Sequence, residues 1–215
     1  MIKENIKSKI ILALAGVVIL AFAIALLIKV GFGLSAWDAF YANLAAATGL
    51  TFGFFSYFVG SILIMINTVI SHKRYNWSAL LMSFLIGNCV DIFNKIFANS
   101  FNLQSFIARV IIFIIGIIIY GLGISLLIYS GLPSPLEEFQ FAIQKLSKVS
   151  IGTSKFLSDF TALILAIIVG IISKRGLGQI SIATIIITLV VGKVVGTWIT
   201  ALTKINLREK IIKIK

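Results

Sequence analysis

GLSAWDAF, residues 33–40, follows a long apolar run, and it sets Ser35, Asp38 and Phe40 at fixed spacing. PSPLEEF, residues 133–139, repeats the arrangement as Ser134, Glu137 and Phe139, each 99 positions further on. Ser-x-x-Asp and Ser-x-x-Glu are capping boxes, in which serine and acid satisfy the orphan amides of a helix start. Pro135 at the first helical position strengthens the second of them. Gly31, Gly33 and Gly131 allow the sharp break that each start needs. A helix that begins just after a span of apolar residues is a broken helix, and here it occurs twice.

The surroundings place both breaks in a membrane protein. The chain is 60% hydrophobic and 12% charged, with a mean hydropathy of +1.11. That is too apolar for a soluble domain. Apolar runs of ~20 residues match a bilayer core of roughly 30 Å. They predict spans over 10–30, 52–71, 77–97, 106–130, 153–173 and 178–203, with short helices over 36–48 and 135–149. As a helix, 36–48 reaches only about 20 Å, so it is interfacial or re-entrant, with protein covering its ends. Leu136, Phe139, Ile143, Leu146 and Val149 recur at helical spacing, which suits an interfacial helix.

Basic residues set the orientation. With the N-terminus inside, thirteen lie on the cytoplasmic side: Lys3, Lys7, Lys9, Lys73, Arg74, Lys145, Lys148, Lys155, Lys204, Arg208, Lys210, Lys213 and Lys215. Five lie near outer ends, Lys29, Lys95, Arg109, Lys174 and Arg175, and Lys193 falls within a span. Both termini are therefore expected in the cytoplasm, with the chain in a plasma membrane. The net charge of +12 reads as topology and contact with an anionic leaflet, not with nucleic acid. The apolar stretch after MIKENIKSK is too long for a signal peptide, and it is expected to stay as the first span. A single cysteine, Cys89, and a single histidine, His72, leave no disulfide framework and no His/Cys metal site, and no cofactor is expected.

The repeat extends beyond the caps. Thr51 and Gly53 align with Ser150 and Gly152 at the same offset of 99. After small insertions, Lys73–Arg74 aligns with Lys174–Arg175, and Gly87 with Gly192. Each half, 1–100 and 101–215, holds three spans. Three is odd, so the second half enters from the opposite side. The expected fold is an all-α membrane protein of six transmembrane helices, a 3+3 inverted repeat forming one membrane domain. Broken helices at matching places in two inverted halves point to a transporter site.

GLSAWDAF, TGLTFG, FVG and the stretch holding Ile86, Gly87 and Asp91 resemble the bacterial YczE/YyaS/YitT-like membrane proteins. GLPSPLEEF and SIGTSKFLSDFTALILAIIVG resemble that family's second, degenerate copy. Ala36 departs from the family's proline before Trp37, and HKRYNWS lacks its Pro-Gly. The resemblance implies the architecture and carries no activity.

Ionisable residues inside spans cost at least ~2.5–3.5 kcal/mol, so each calls for a partner or water. Asp91 and Asn88 in span three, Asp159 in span five and Lys193 in span six are the candidates. A structural ion pair of Lys193 with Asp159 or Asp91 is the plain reading; a solute site is the sharper one. With Ser35, Trp37, Asp38, Ser134 and Glu137 at the helix starts, these are the expected substrate-binding residues. For the serines and acids, capping alone is the competing account. Ala21 and Ala25 form a small-xxx-small pair for close helix packing, within the chain or with a partner helix or second copy. No Walker A, GxSxG or HExxH pattern is present, so an enzyme is not expected. The expectation is a permease for a small anionic or zwitterionic solute. The alternatives are a substrate-binding subunit of an energy-coupling-factor importer and a non-transporting accessory protein that docks a partner.

Overall fold

The computed structural model describes residues 6–71, 74–100 and 103–205. Of the residues used above, Lys3, His72, Lys73, Arg208, Lys210, Lys213 and Lys215 lie outside the described residues. The described chain is all-helical: α1 (Ile6–Val30), α2 (Ala36–Thr48), α3 (Phe52–Ser71), α4 (Trp77–Ser100), α5 (Phe106–Ser130), α6 (Pro135–Ser147), α7 (Ile151–Ile172) and α8 (Ile182–Ile205). Six of these are long and apolar enough to cross a membrane. The last one starts at Ile182 rather than 178, because Ser181 takes the capping position: its hydroxyl accepts from the Ala183 amide at 3.0 Å.

The centre is the pair α1–α5, with α4 packed on α1 and α8 on α5. Glycine lets the two central backbones close. A Cβ on Gly123 would lie 2.7 Å from Leu20 Cα, and one on Gly16 would lie 3.1 Å from the Gly123 carbonyl oxygen. Outside this pair, α2 packs along α7 and α6 along α3. Ala21 and Ala25 are fully buried, Ala25 with Leu26 against Phe97 of α4. Their face is thus packed inside the molecule, as the within-chain reading of the pair expects. Many large apolar side chains remain exposed, among them Ile11, Val18, Ile62, Ile114 and Leu189. In hydrocarbon this exposure carries no penalty, because lipid tails are as apolar as these side chains.

Contacts at the helix ends sort the elements by face. At face B the end of α1 meets the starts of α5 and α8: Arg109 Nε donates to the Val30 carbonyl at 2.9 Å, and Ser181 Oγ donates to that of Phe32. At face A, Leu12 of α1 clusters with Leu126 of α5 and Leu202 of α8. The start of α1 and the end of α8 therefore share face A.

Neither short helix lies flat on a face. α2 begins where Tyr120 and Ser158 contact it, and at 1.5 Å per residue Tyr120 sits roughly 20 Å into α5. It then runs out to face B, where Asn43 bonds the segment between α7 and α8. α6 begins beside the middle of α3, since a Cβ on Gly60 would stand 3.2 Å from Pro135 Cγ. Its far end, at Lys145, lies beside Ser71 and Arg74 at face A. The starts of both are buried among the other helices: Ala36, Trp37 and Asp38 in α2, and Ser134, Pro135 and Glu137 around the start of α6.

Candidate functional site

The two helix starts meet. Trp37 of α2 and Phe139 of α6 pack edge to face with ring centroids 6.2 Å apart. Asp38 and Glu137 line one small cavity together with Tyr120 and Ser83.

Each start is built locally and then held by its neighbours. Ser35 Oγ accepts from the Asp38 amide at 3.4 Å and donates to Asp38 Oδ2 at 2.6 Å. The Tyr120 hydroxyl reaches the same Oδ2 at 2.9 Å, and Trp37 Nε1 donates to Ser158 Oγ at 3.0 Å. In α6 the box is reciprocal: the Ser134 amide donates to Glu137 Oε2 at 2.8 Å, and Ser134 Oγ accepts from the Leu136 amide at 3.3 Å. Asp38 and Glu137 are both buried at the starts of the short helices.

A third carboxylate completes the cluster. Asp159 of α7 is buried and accepts from Lys155 Nζ, one helical turn before it, at 2.5 Å. Both line a second small cavity that also touches Ser35, Trp37, Tyr120 and Glu137. Each cavity measures about 30 Å³, which is room for a water. The centre is therefore polar, charged and closed.

The structure brings together Ser35, Trp37, Asp38, Ser134, Glu137 and Asp159. Three other sequence candidates stand elsewhere. Asp91 accepts from the Gly53 amide at 3.1 Å and so closes the first turn of α3. Asn88 is exposed and bonds the Phe84 carbonyl of its own helix at 2.8 Å. Lys193 is exposed on α8. The ion pair expected between Lys193 and Asp159 or Asp91 is not formed, because Lys155 takes Asp159 and a backbone amide takes Asp91. Two members were missed by sequence reading, Tyr120 and Lys155. An i, i+4 scan finds Lys155–Asp159. Nothing local marks Tyr120, which arrives from α5 through tertiary packing.

Residues 7–200 match a family described as a family of unknown function (DUF6198). The chain belongs to that family. It is similar to "Uncharacterized protein YyaS" of Bacillus subtilis (strain 168), 31% identical over 154 residues, covering 71% of this chain and 77% of the relative. It is also similar to "Uncharacterized membrane protein YczE" of the same organism, 33% identical over 119 residues, covering 55% of this chain and 54% of that relative. The chain thus spans about half the length of the second relative. No solved structure matches. The family resemblance read from GLSAWDAF and its second copy therefore holds, and the chain is a YczE/YyaS-like multi-pass membrane protein.

Proposed function

We propose that this protein is a permease built as a 3+3 inverted repeat, and that its solute site is the cluster where α2 and α6 begin. The observation that carries the reading is the convergence of two short-helix starts on one charged, buried cluster. Irregular backbone and ionisable groups at this depth are tolerated only where protein buries and pairs them or where they line a cavity, and here the paired groups also line two small cavities. The repeat is supported by the packing. Exchanging α1 with α5, α2 with α6, α3 with α7 and α4 with α8 carries α1–α4 into α5–α8, and α2–α7 into α6–α3.

One pair breaks the symmetry. α3 and α4 close on each other through Gly53 and Gly87, where a Cβ on Gly87 would stand 2.7 Å from Gly53 Cα. Their counterparts Gly152 and Gly192 do not meet; the nearest atom to a Cβ on Gly192 is Lys155 Cδ at 3.9 Å. The closed centre is then one state of an alternating cycle, with α7 and α8 parted beside it. With face A in the cytoplasm, the start of α1 and the end of α8 face the cytoplasmic, anionic leaflet of a bacterial plasma membrane.

Geometry narrows the solute. Asp38 and Glu137 already occupy the positive ends of α2 and α6, so a simple anion has no vacant dipole to meet. Three carboxylates against one lysine suit a zwitterion, its ammonium toward Asp38 and Glu137 and its acid toward Lys155. The competing reading, a non-transporting accessory protein, draws on the small size of the cavities. The importer-subunit reading has lost its alanine face to the core. Thermal stabilisation of the purified protein across amino-acid-like zwitterions, amines and carboxylates separates them. A zwitterion shift lost in Asp159→Asn supports the permease; no shift with any class, and no flux in liposomes, favours the accessory role.

A further inference from the structure

A cavity of about 350 Å³ opens at face A between α3, α6 and residues 74–76, away from the central cluster. Asn67 of α3 lines it and is only 7% exposed, yet neither its amide nitrogen nor its oxygen has a hydrogen-bond partner. A buried unpaired amide costs about 1–3 kcal/mol, so it calls for an explanation. Arg74 and Lys145 stand exposed in the same wall. Glu138 is there too, held by Asn76.

The other half shows what is missing. At an offset of 99, Asn67 corresponds to Ala166, and Ala142 to Asn43. Asparagine and alanine have changed places across the same helix pair. Asn43 is fully used: its Nδ2 donates to the carbonyls of Ala166 at 3.1 Å and Leu177 at 3.2 Å, and its Oδ1 accepts from the Gln179 amide at 2.9 Å. Two of those partners belong to the 173–181 connection, which has nine residues; its counterpart, 72–76, has five. The longer connection supplies backbone to its asparagine. The shorter one leaves a cavity.

We propose that this cavity binds a glycerophosphate group, a phosphate flanked by hydroxyls. A hydroxyl both donates and accepts, which is what the two orphan atoms of Asn67 require, and the Glu138 carboxylate accepts from a second hydroxyl. Arg74 and Lys145 hold the phosphate. The group arrives either as the headgroup of an anionic lipid or as a soluble glycerol phosphate. This inference rests on the repeat alignment and on the cavity, and it stands whether or not the central cluster transports.

The test is thermal unfolding of the whole protein in phosphatidylcholine nanodiscs, with and without phosphatidylglycerol, and separately with millimolar glycerol 3-phosphate. Wild type is stabilised in the lipid arm or the soluble arm, and the arm that responds names the source. Arg74→Gln and Lys145→Gln each weaken the response about 10-fold, the effect of losing one charge-assisted bond. Asn67→Ala abolishes it while leaving unliganded stability unchanged or raised, since the orphan amide is gone. Should Asn67→Ala fail to fold, the two exposed rim variants carry the test. Absence of a shift in both arms overturns the site. So does an equal shift in wild type and the rim variants, which is general charge attraction.

Discussion

Tyr120 of α5 donates its hydroxyl to Asp38 Oδ2 at 2.9 Å and also reaches Ser35 Oγ at 3.2 Å. One residue from the central helix pair thus fixes both members of the α2 cap, and no such clamp is needed for α6, whose box is reciprocal. Tyr120→Phe should therefore lower stability by about 1.5–3 kcal/mol, the range for a hydrogen bond to a charged group. Thermal unfolding in detergent checks it. An unchanged midpoint means that Ser35 alone holds Asp38.

Glu137→Gln tests the reciprocal box. A neutral amide keeps one acceptor but weakens the bond to the Ser134 amide, and the cost should be about 1–2 kcal/mol. Solute-dependent stabilisation should survive if Glu137 only caps. Its loss in well-folded protein instead puts the carboxylate in contact with solute.

Lys155 and Asp159 replace Lys193 as the pair to perturb. Lys155→Met leaves a buried carboxylate unpaired, and stability should drop by about 3 kcal/mol. Adding Asp159→Leu should recover most of it, because both desolvation penalties go together. Lys193→Met, which removes an exposed charge from the middle of α8, should leave stability unchanged or raise it. A large loss at Lys193 alone contradicts its placement here.

The glycine contacts predict a contrast between halves. Gly87→Ala puts a methyl 2.7 Å from Gly53 Cα, and overpacking of this kind costs about 1–3 kcal/mol. Gly192→Ala meets no atom closer than 3.9 Å and should leave stability intact. Equal destabilisation by both is the outcome that would falsify the parted α7–α8 arrangement.

Topology is read by labelling single cysteines in a Cys89→Ala background. Ala47→Cys at the exposed end of α2 and Ser147→Cys at the exposed end of α6 should react from opposite sides of the membrane. Buried Asn43, only 4% exposed, is unsuited to this probe. Labelling of both positions from one side ends the inverted-repeat reading.

From the sequence alone came the membrane class, the long helices to within a few residues, and the two helix starts at Ser35 and Ser134. These follow from local quantities: hydropathy over ~20 residues and cap chemistry within four. Tertiary structure decided which polar residues meet. Asp159 found Lys155 rather than Lys193 because the two share one helix face a turn apart, whereas Lys193 points away on α8. Tyr120 joined Asp38, 82 positions away, through a helix crossing that no window of sequence records. Asn43 is satisfied by backbone of the 173–181 connection, whereas Asn67, buried on α3, has no partner. Only folding shows that the backbone which satisfies Asn43 has no equivalent at Asn67.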